Sequence, residues 1–89
     1  MSKIFKYPLE VLSEQVVKMP KGAVILDVQV QNGKPCLWAV VDQYAPTIER
    51  TIYTLGTGQE VALRNRKHIA TYQLDGGELV YHVFGDTTD

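Results

Sequence analysis

The apolar residues of the chain fall in short runs that glycine, proline and asparagine separate. The clearest case is residues 23–42, AVILDVQVQNGKPCLWAVVD, where Asn32-Gly33 joins two such runs. This dipeptide tolerates positive φ angles and is typical of the two-residue type I′ turn of a β-hairpin. The pattern therefore predicts an antiparallel hairpin in which Gln31 lies opposite Lys34.

That register also predicts the two faces of the hairpin. Val28 lies opposite Leu37, Leu26 opposite Ala39, and Val24 opposite Val41, all on one apolar face. The other face receives Asp27, Gln29, Cys36 and Trp38. A tryptophan beside an acid and an amide suits a second buried surface or a binding surface better than open water.

The rest of the chain shows further short strand patterns. They cover residues 3–9, 15–19, 50–55, 68–74 and 79–84, and the last two form a second hairpin across the 75–78 turn. Pro8 cannot donate to a ladder, so the first strand is predicted at a sheet edge. The pattern also allows a short helical turn at residues 10–15 or at residues 60–64. We expect an all-β fold, a mostly antiparallel small sandwich or barrel.

The closing strand is apolar on both sides. Leu79, Tyr81 and Val83 point one way, and Val80, His82 and Phe84 point the other way. A chain of 89 residues makes one domain, and a domain of this size buries only about 60 to 65% of its unfolded surface. These features predict a homo-oligomer, either a dimer or a tetramer, with ligand sites at its interfaces.

Composition and motifs exclude several classes of function. The net charge is −1 and no apolar run approaches the roughly 20 residues that cross a bilayer, so we expect a cytoplasmic protein with no membrane partner. Disorder is expected only at residues 86–89. The single Cys36 is expected to be a small buried hydrophobe. His68 and His82 have no Cys or carboxylate at the spacing of a metal site, and no catalytic grouping is apparent. We therefore expect no metal, no cofactor and no enzymatic activity.

Charge is distributed unevenly along the chain. Residues 50–68 hold four Lys or Arg and one acid, whereas residues 69–89 hold four acids and no Lys or Arg. Arginine suits phosphate, and aromatic rings suit nucleobases. The candidate binding residues are Trp38, Arg50, Tyr53, Gly56, Thr57, Gly58, Arg64 and Arg66. The alternatives are a glycine turn between strands and a solvated basic loop that pairs with the acidic C-terminal segment. Long nucleic acid is not expected, because the chain is slightly acidic.

Several segments resemble a family of small phage and prophage proteins. They are KYPLE, MPKGA, VQVQNGKPCLWAVVD, the Gly56-Thr57-Gly58 loop, IAT and the ending LVYHVF. Members of that family often carry histidine after Gly-Thr-Gly, where this chain has Gln59. Small phage proteins of this size include the anti-CBASS nucleotide sponges, β-rich oligomers that sequester cyclic dinucleotide signals.

This resemblance implies an immune-evasion protein of the host cytoplasm that binds cyclic dinucleotides without cleaving them. Arginines would contact phosphates, aromatic rings would stack on bases, and the amides of the glycine loop would complete the pocket. The alternative is a protein–protein inhibitor or structural phage accessory that uses the same apolar faces and has no nucleotide ligand.

Overall fold

The computed structural model describes residues 2–62 and 64–87, and in this part of the chain β-strands dominate. The seven strands are β1 Lys3–Pro8, β2 Glu14–Pro20, β3 Val24–Gln31, β4 Lys34–Val41, β5 Thr47–Gly56, β6 Arg66–Leu74 and β7 Leu79–Asp86. The predicted all-β class is confirmed. No helix among the described residues is long and apolar enough to cross a bilayer.

The strands form two antiparallel sheets. The first has three strands in the order β1-β4-β3, and the second has four in the order β2-β5-β7-β6. β1 is an edge strand, as Pro8 predicts, and the proline ends it. The edge strands β3 and β6 lie alongside each other, although no ladder joins the two sheets.

The apolar core forms where alternate residues of both sheets point inward. Leu37 and Ala39 on β4, Ile52 on β5 and Val83 on β7 are almost fully buried in one cluster. Cys36 is buried too, as predicted for a small hydrophobe. The core cluster occupies the inner side of each strand, whereas Cys36, next to Leu37 on β4, lies on the outer side.

The central hairpin turns at the predicted dipeptide. Asn32 has φ 52° and Gly33 has φ 78°, and these positive angles define the type I′ geometry. Gln31 lies opposite Lys34 and Val28 lies opposite Leu37. The turn and the register beside it are therefore confirmed.

The register farther from the turn was predicted wrongly. A β-bulge at Leu26 shifts the pairing, so Ile25 lies opposite Ala39 and Val24 opposite Val40. The extra residue turns Ile25 towards the core and leaves Val24 60% and Leu26 50% exposed. The predicted pairs of Leu26 with Ala39 and of Val24 with Val41 do not form.

The second hairpin joins β6 and β7 and also carries a bulge, at Ile69. Gly85 lies beneath this bulge, where an added Cβ would meet Ile69 Cδ1 at 3.0 Å. The short helical turn is a 3₁₀ turn at Asp75–Gly77. It does not lie in residues 10–15 or in the described part of 60–64. Residues 86–89 were predicted to be disordered, but Asp86 ends β7. Residues 88 and 89 lie outside the described residues.

Candidate functional site

The outer face of the four-stranded sheet carries polar and aromatic side chains in rows. Strand pairing sets Tyr53 opposite Phe84 and Phe84 opposite His68, so these three rings share one face. The next row on the same face contains Thr71 and its partner His82. Directly opposed residues of antiparallel strands point to the same side, which is why residues from β5, β6 and β7 meet here.

Arg66 stacks on this face. Its guanidinium carbon lies 3.7 Å from the centroid of the Tyr53 ring, a cation–π contact. The Tyr53 hydroxyl donates to Asp86 Oδ1 at 3.2 Å. Arg66 pairs with Asp86 across β6 and β7, so the ladder holds the cation and the acid near the same ring. The result is a flat surface at the end of the sheet, where the Arg66 cation lies near the Asp86 carboxylate.

A continuous row of hydrogen bonds runs across the same face. Thr57 Oγ1 lies 2.8 Å from His82 Nε2, and His82 Nδ1 lies 3.0 Å from Thr71 Oγ1. Thr71 Oγ1 is also 2.9 Å from His68 Nε2. The His68 ring meets Phe84 edge-on, with centroids 5.5 Å apart. Both nitrogens of His82 are therefore engaged, and one hydroxyl joins the two imidazoles.

A cleft of about 440 Å³ opens beside these side chains. Its walls come from the start of β3, from β5 and from the β6 and β7 ends. The lining residues are Gly22, Ala23, Val24, Ile25, Arg50, Lys67, His68, Ile69, Gly85 and Asp86. Arg50 Nη1 donates to the Ala23 carbonyl at 2.8 Å, which fixes its charge at the wall.

Two residues belong to both the cleft and the sheet face. His68 and Asp86 line the cleft and also make the Thr71 and Tyr53 contacts on the outer face. The cleft contains the cations Arg50 and Lys67 against the single carboxylate of Asp86. We call the cleft with Tyr53 and Arg66 the cleft site. Chemically it offers positive charge for an anion and a planar surface for a ring.

The Gly56-Thr57-Gly58 turn contributes less to anion binding than its glycines imply. The Gly56 amide donates to the Gln59 side chain, and the Thr57 amide donates to the Val80 carbonyl. The Gln59 amide donates to the Gly56 carbonyl, so it too is engaged. What the turn supplies is the Thr57 hydroxyl at the end of the hydrogen-bonded row.

The structure brings together only some of the predicted binding residues. Arg50 lines the cleft, Tyr53 and Arg66 stack on the outer face of the sheet beside Asp86, and Thr57 joins His68 through the hydrogen-bonded row. Trp38 belongs to the outer side of the other sheet, opposite Asp27 and Lys6. Arg64 is exposed in the turn before β6.

Sequence reasoning missed four residues of the site, namely Thr71, His82, Phe84 and Asp86, whereas Lys67 and His68 lie in the basic segment 50–68 that it favoured for an anion. The alternation of the last strand does put His82 and Phe84 on one face. Counting back from the 75–78 turn then pairs His82 with Thr71, as found. The same count misplaces His68, because the bulge at Ile69 shifts the register by one residue.

Comparison with known proteins assigns the chain to a family. The model of a domain of unknown function, DUF7352, matches residues 1–89. The chain belongs to the DUF7352 family. Searches of curated proteins and of solved structures found no match. The described residues of this DUF7352 protein include no group of three or more His, Cys, Asp or Glu arranged to hold a metal ion.

Proposed function

We propose that this DUF7352 protein binds a cyclic dinucleotide in the cleft site and sequesters it without cleaving it. The observation that carries the proposal is the Arg66 guanidinium stacked 3.7 Å from the Tyr53 ring at the border of a cleft that Lys67 and His68 line. A cyclic dinucleotide combines two phosphodiester charges with two planar bases. The site offers a partner for each kind of group.

The phosphates are assigned to the cleft. Lys67 and Arg50 give it two permanent positive charges, and the cleft volume of about 440 Å³ lies in the range of small-molecule sites, roughly 300 to 1,000 Å³. Lysine binds phosphate as a mobile point charge. The Arg50 guanidinium already donates to the Ala23 carbonyl, so we expect it to act through the positive potential of the cleft. Lys67 is the residue we expect to contact a phosphate oxygen directly.

The bases are assigned to the outer face. The exposed side of the Arg66 guanidinium is a flat cation on which a nucleobase stacks, and Phe84 and His68 extend the surface next to it. Stacking on aromatic side chains contributes about 1 to 3 kcal/mol per base. The stacked Arg66–Tyr53 pair would hold one base while its phosphate enters the cleft.

The biological role we propose is the one implied by the resemblance to small phage proteins. A protein that holds the signal intact lowers its free concentration in the host cytoplasm and so blocks the defence response. Sequestration needs tight binding and slow release, and it needs no bond cleavage. The ligand should therefore be recovered unchanged.

Calorimetric titration with a panel of cyclic dinucleotides tests this proposal. We expect one of them to bind and, after heat denaturation of the complex, to be recovered intact by chromatography and mass spectrometry. Lys67→Ala should weaken binding by about 10- to 150-fold, because a charge-assisted contact contributes roughly 1.5 to 3 kcal/mol. Lys18→Ala is the matched control, since Lys18 is an exposed lysine of β2 outside the cleft lining.

Three results would contradict the proposal. If no cyclic dinucleotide binds the folded wild-type protein, the cleft site is not a nucleotide site. If the ligand is recovered cleaved, the protein is an enzyme that degrades the signal. Equal weakening in the Lys67 and Lys18 variants would show that binding depends on net charge alone.

A protein-contact function is the second candidate, and a different surface favours it. On the outer side of the three-stranded sheet, Ile4 lies opposite Val40, and Val40 lies opposite Val24. Ile4, Val24 and Leu26 are each at least half exposed. Exposed apolar side chains that lie together are typical of protein interfaces. Absence of nucleotide binding, together with loss of a host-protein complex in an Ile4→Lys variant, would favour this function.

A further inference from the structure

The hydrogen-bonded row between Thr57 and His68 constrains the protons on both histidines. Thr71 Oγ1 lies within hydrogen-bond distance of His82 Nδ1 and of His68 Nε2. A hydroxyl has one proton and two acceptor lone pairs, so Thr71 donates to at most one imidazole and accepts from the other or from both. Both histidines cannot accept from it at the same time.

Three proton arrangements satisfy every hydrogen bond of the row when both imidazoles are neutral. In one of them both histidines donate to Thr71, His82 through Nδ1 and His68 through Nε2, and the exposed Thr71 hydroxyl donates to solvent. The other two arrangements, the first and the second, use the Thr71 proton within the row. In the first, Thr71 donates to His68 Nε2, and His82 donates to Thr71 through Nδ1. In the second, His68 donates to Thr71 through Nε2, and Thr71 donates to His82 Nδ1. A neutral imidazole carries one proton, so the first arrangement puts it on Nδ1 of both rings and the second puts it on Nε2 of both rings.

The arrangements present different chemistry to the cleft. His68 lines the cleft, and Thr71 occupies its Nε2, so Nδ1 is the nitrogen that remains for a ligand. That Nδ1 is a donor in the first arrangement alone and an acceptor in the other two. Phosphate oxygens accept hydrogen bonds and do not donate them, so a phosphate ligand selects the first arrangement.

We propose that Thr71 and His82 are positioning residues that set the tautomer of His68, and that this makes His68 a hydrogen-bond donor to a phosphate group in the cleft. The assignment of phosphate rests on the proposed function, whereas the coupling of the two tautomers does not. Through the same row, the Thr57 hydroxyl donates to His82 Nε2 when the anion is bound. Thr71 thus makes the site specific for a ligand that accepts a hydrogen bond, although Thr71 itself does not touch the ligand.

Long-range ¹H–¹⁵N NMR of the histidine rings tests the coupling in the free protein. At about pH 8.5, above the ordinary titration range of histidine, the spectrum shows which nitrogen of each ring is protonated. We expect the Nδ1-protonated fraction of His68 not to exceed that of His82, because His68 protonated at Nδ1 with His82 protonated at Nε2 would require Thr71 to donate to both rings. In Thr71→Val, which keeps the β-branched shape, this limit should disappear. A larger Nδ1-protonated fraction in His68 than in His82 of the wild-type protein would overturn the proposal.

Titration with inorganic pyrophosphate tests the response to an anion. In the wild-type protein, the Nδ1-protonated fraction should rise in both histidines, and in Thr71→Val it should rise in His68 alone. Thr71→Val should weaken pyrophosphate binding by about 3- to 10-fold, the effect of one net hydrogen bond of roughly 0.5 to 1.5 kcal/mol. Thr51→Val is the matched control, because Thr51 lies on β5 of the same sheet as Thr71 and outside the row.

The two measurements distinguish failure of this inference from failure of the proposed function. If pyrophosphate and the cyclic dinucleotides do not bind, the proposed function fails, and the tautomers of the free protein still decide the coupling. If an anion binds with equal affinity to Thr71→Val and wild type, the positioning role fails while the binding function stands.

Discussion

At the scale of single residues, the core holds two hydroxyl groups that lack a partner. Thr54 Oγ1 and Tyr72 Oη are buried, and neither has a hydrogen-bond partner among the described residues. Leaving a buried polar group unsatisfied costs about 1 to 3 kcal/mol. Tyr72 contacts Tyr81, with ring centroids 5.6 Å apart, so its ring still packs well.

Tyr72→Phe is therefore expected to raise the free energy of unfolding by up to about 1 kcal/mol, because the ring stays and the unpaired hydroxyl is removed. Urea denaturation followed by Trp38 fluorescence measures this change. Tyr44→Phe is the control, since Tyr44 is 83% exposed and its replacement should leave stability unchanged. A loss of stability in Tyr72→Phe would mean that its hydroxyl is paired in solution.

The same residue predicts an alkaline loss of stability. Burial, with a smaller effect from Tyr81, raises the pKa of the Tyr72 hydroxyl above its ordinary value of 10.0. The folded state therefore holds the proton more tightly than the unfolded state. The resulting stability is present below about pH 10 and is lost as the pH rises through the folded-state pKa. Burial raises the pKa of Tyr7 as well, so Tyr72→Phe should remove only part of this loss.

At the scale of elements, two bulges and one turn determine how the strands pair. The Asn32-Gly33 turn sets the register of β3 with β4 near the loop, and the bulge at Leu26 changes it farther along. The bulge at Ile69 does the same in the second hairpin. Both bulges lie in β3 and β6, the edge strands that run side by side. Bulges increase local twist, which keeps such edges from forming a continuous ladder.

Gly33→Val and Gly33→Asn test the turn. An added Cβ at Gly33 meets nothing within 4 Å, so a substitution acts through the backbone angle alone. At φ 78°, asparagine is tolerated and a β-branched residue is strained. We expect Gly33→Val to be less stable than Gly33→Asn by about 1 to 2 kcal/mol or more in urea denaturation. Equal stability of the two variants would show that the turn does not need a positive φ.

At the scale of the whole molecule, each sheet uses one face for the core and exposes the other. The four-stranded sheet exposes the polar and aromatic residues of the cleft site. The three-stranded sheet exposes the apolar group of Ile4, Val24 and Leu26. A host protein occupies this apolar surface only under the second candidate function. With nucleotide binding as the function, we propose that a second copy of the chain covers it, because a two-fold interface pairs a surface with itself and needs no complementary charge.

Light scattering at micromolar concentration tests this assembly. We expect a mass of two or four chains for the wild-type protein. Ile4→Lys should shift it to one chain, since a buried lysine without a partner opposes association. Val16→Lys is the matched control, because Val16 is 54% exposed on the other sheet and Ile4 is 62% exposed. A wild-type mass of one chain, or the same shift in both variants, would contradict this interface.

Local signals in the sequence determined much of the fold. Alternating apolar residues, proline and the Asn-Gly turn have effects within a few residues, and they correctly predicted the all-β class, the edge position of β1 and both hairpins. Arg66 and Tyr53 were also predicted as binding residues, because the positive charge of one and the aromatic ring of the other are properties of the side chains themselves. Whether they bind a nucleotide stays a prediction.

Only the tertiary structure decided which of those residues meet. The bulges at Leu26 and Ile69 depend on how the edge strands pack, so local alternation does not reveal them. They moved Val24 out of the predicted pairing and brought His68 opposite Phe84. Sheet order then separated Trp38 from the arginines and joined β5, β6 and β7 into one face. Pairing between distant segments depends on the packing of the whole chain, which no short stretch of sequence specifies.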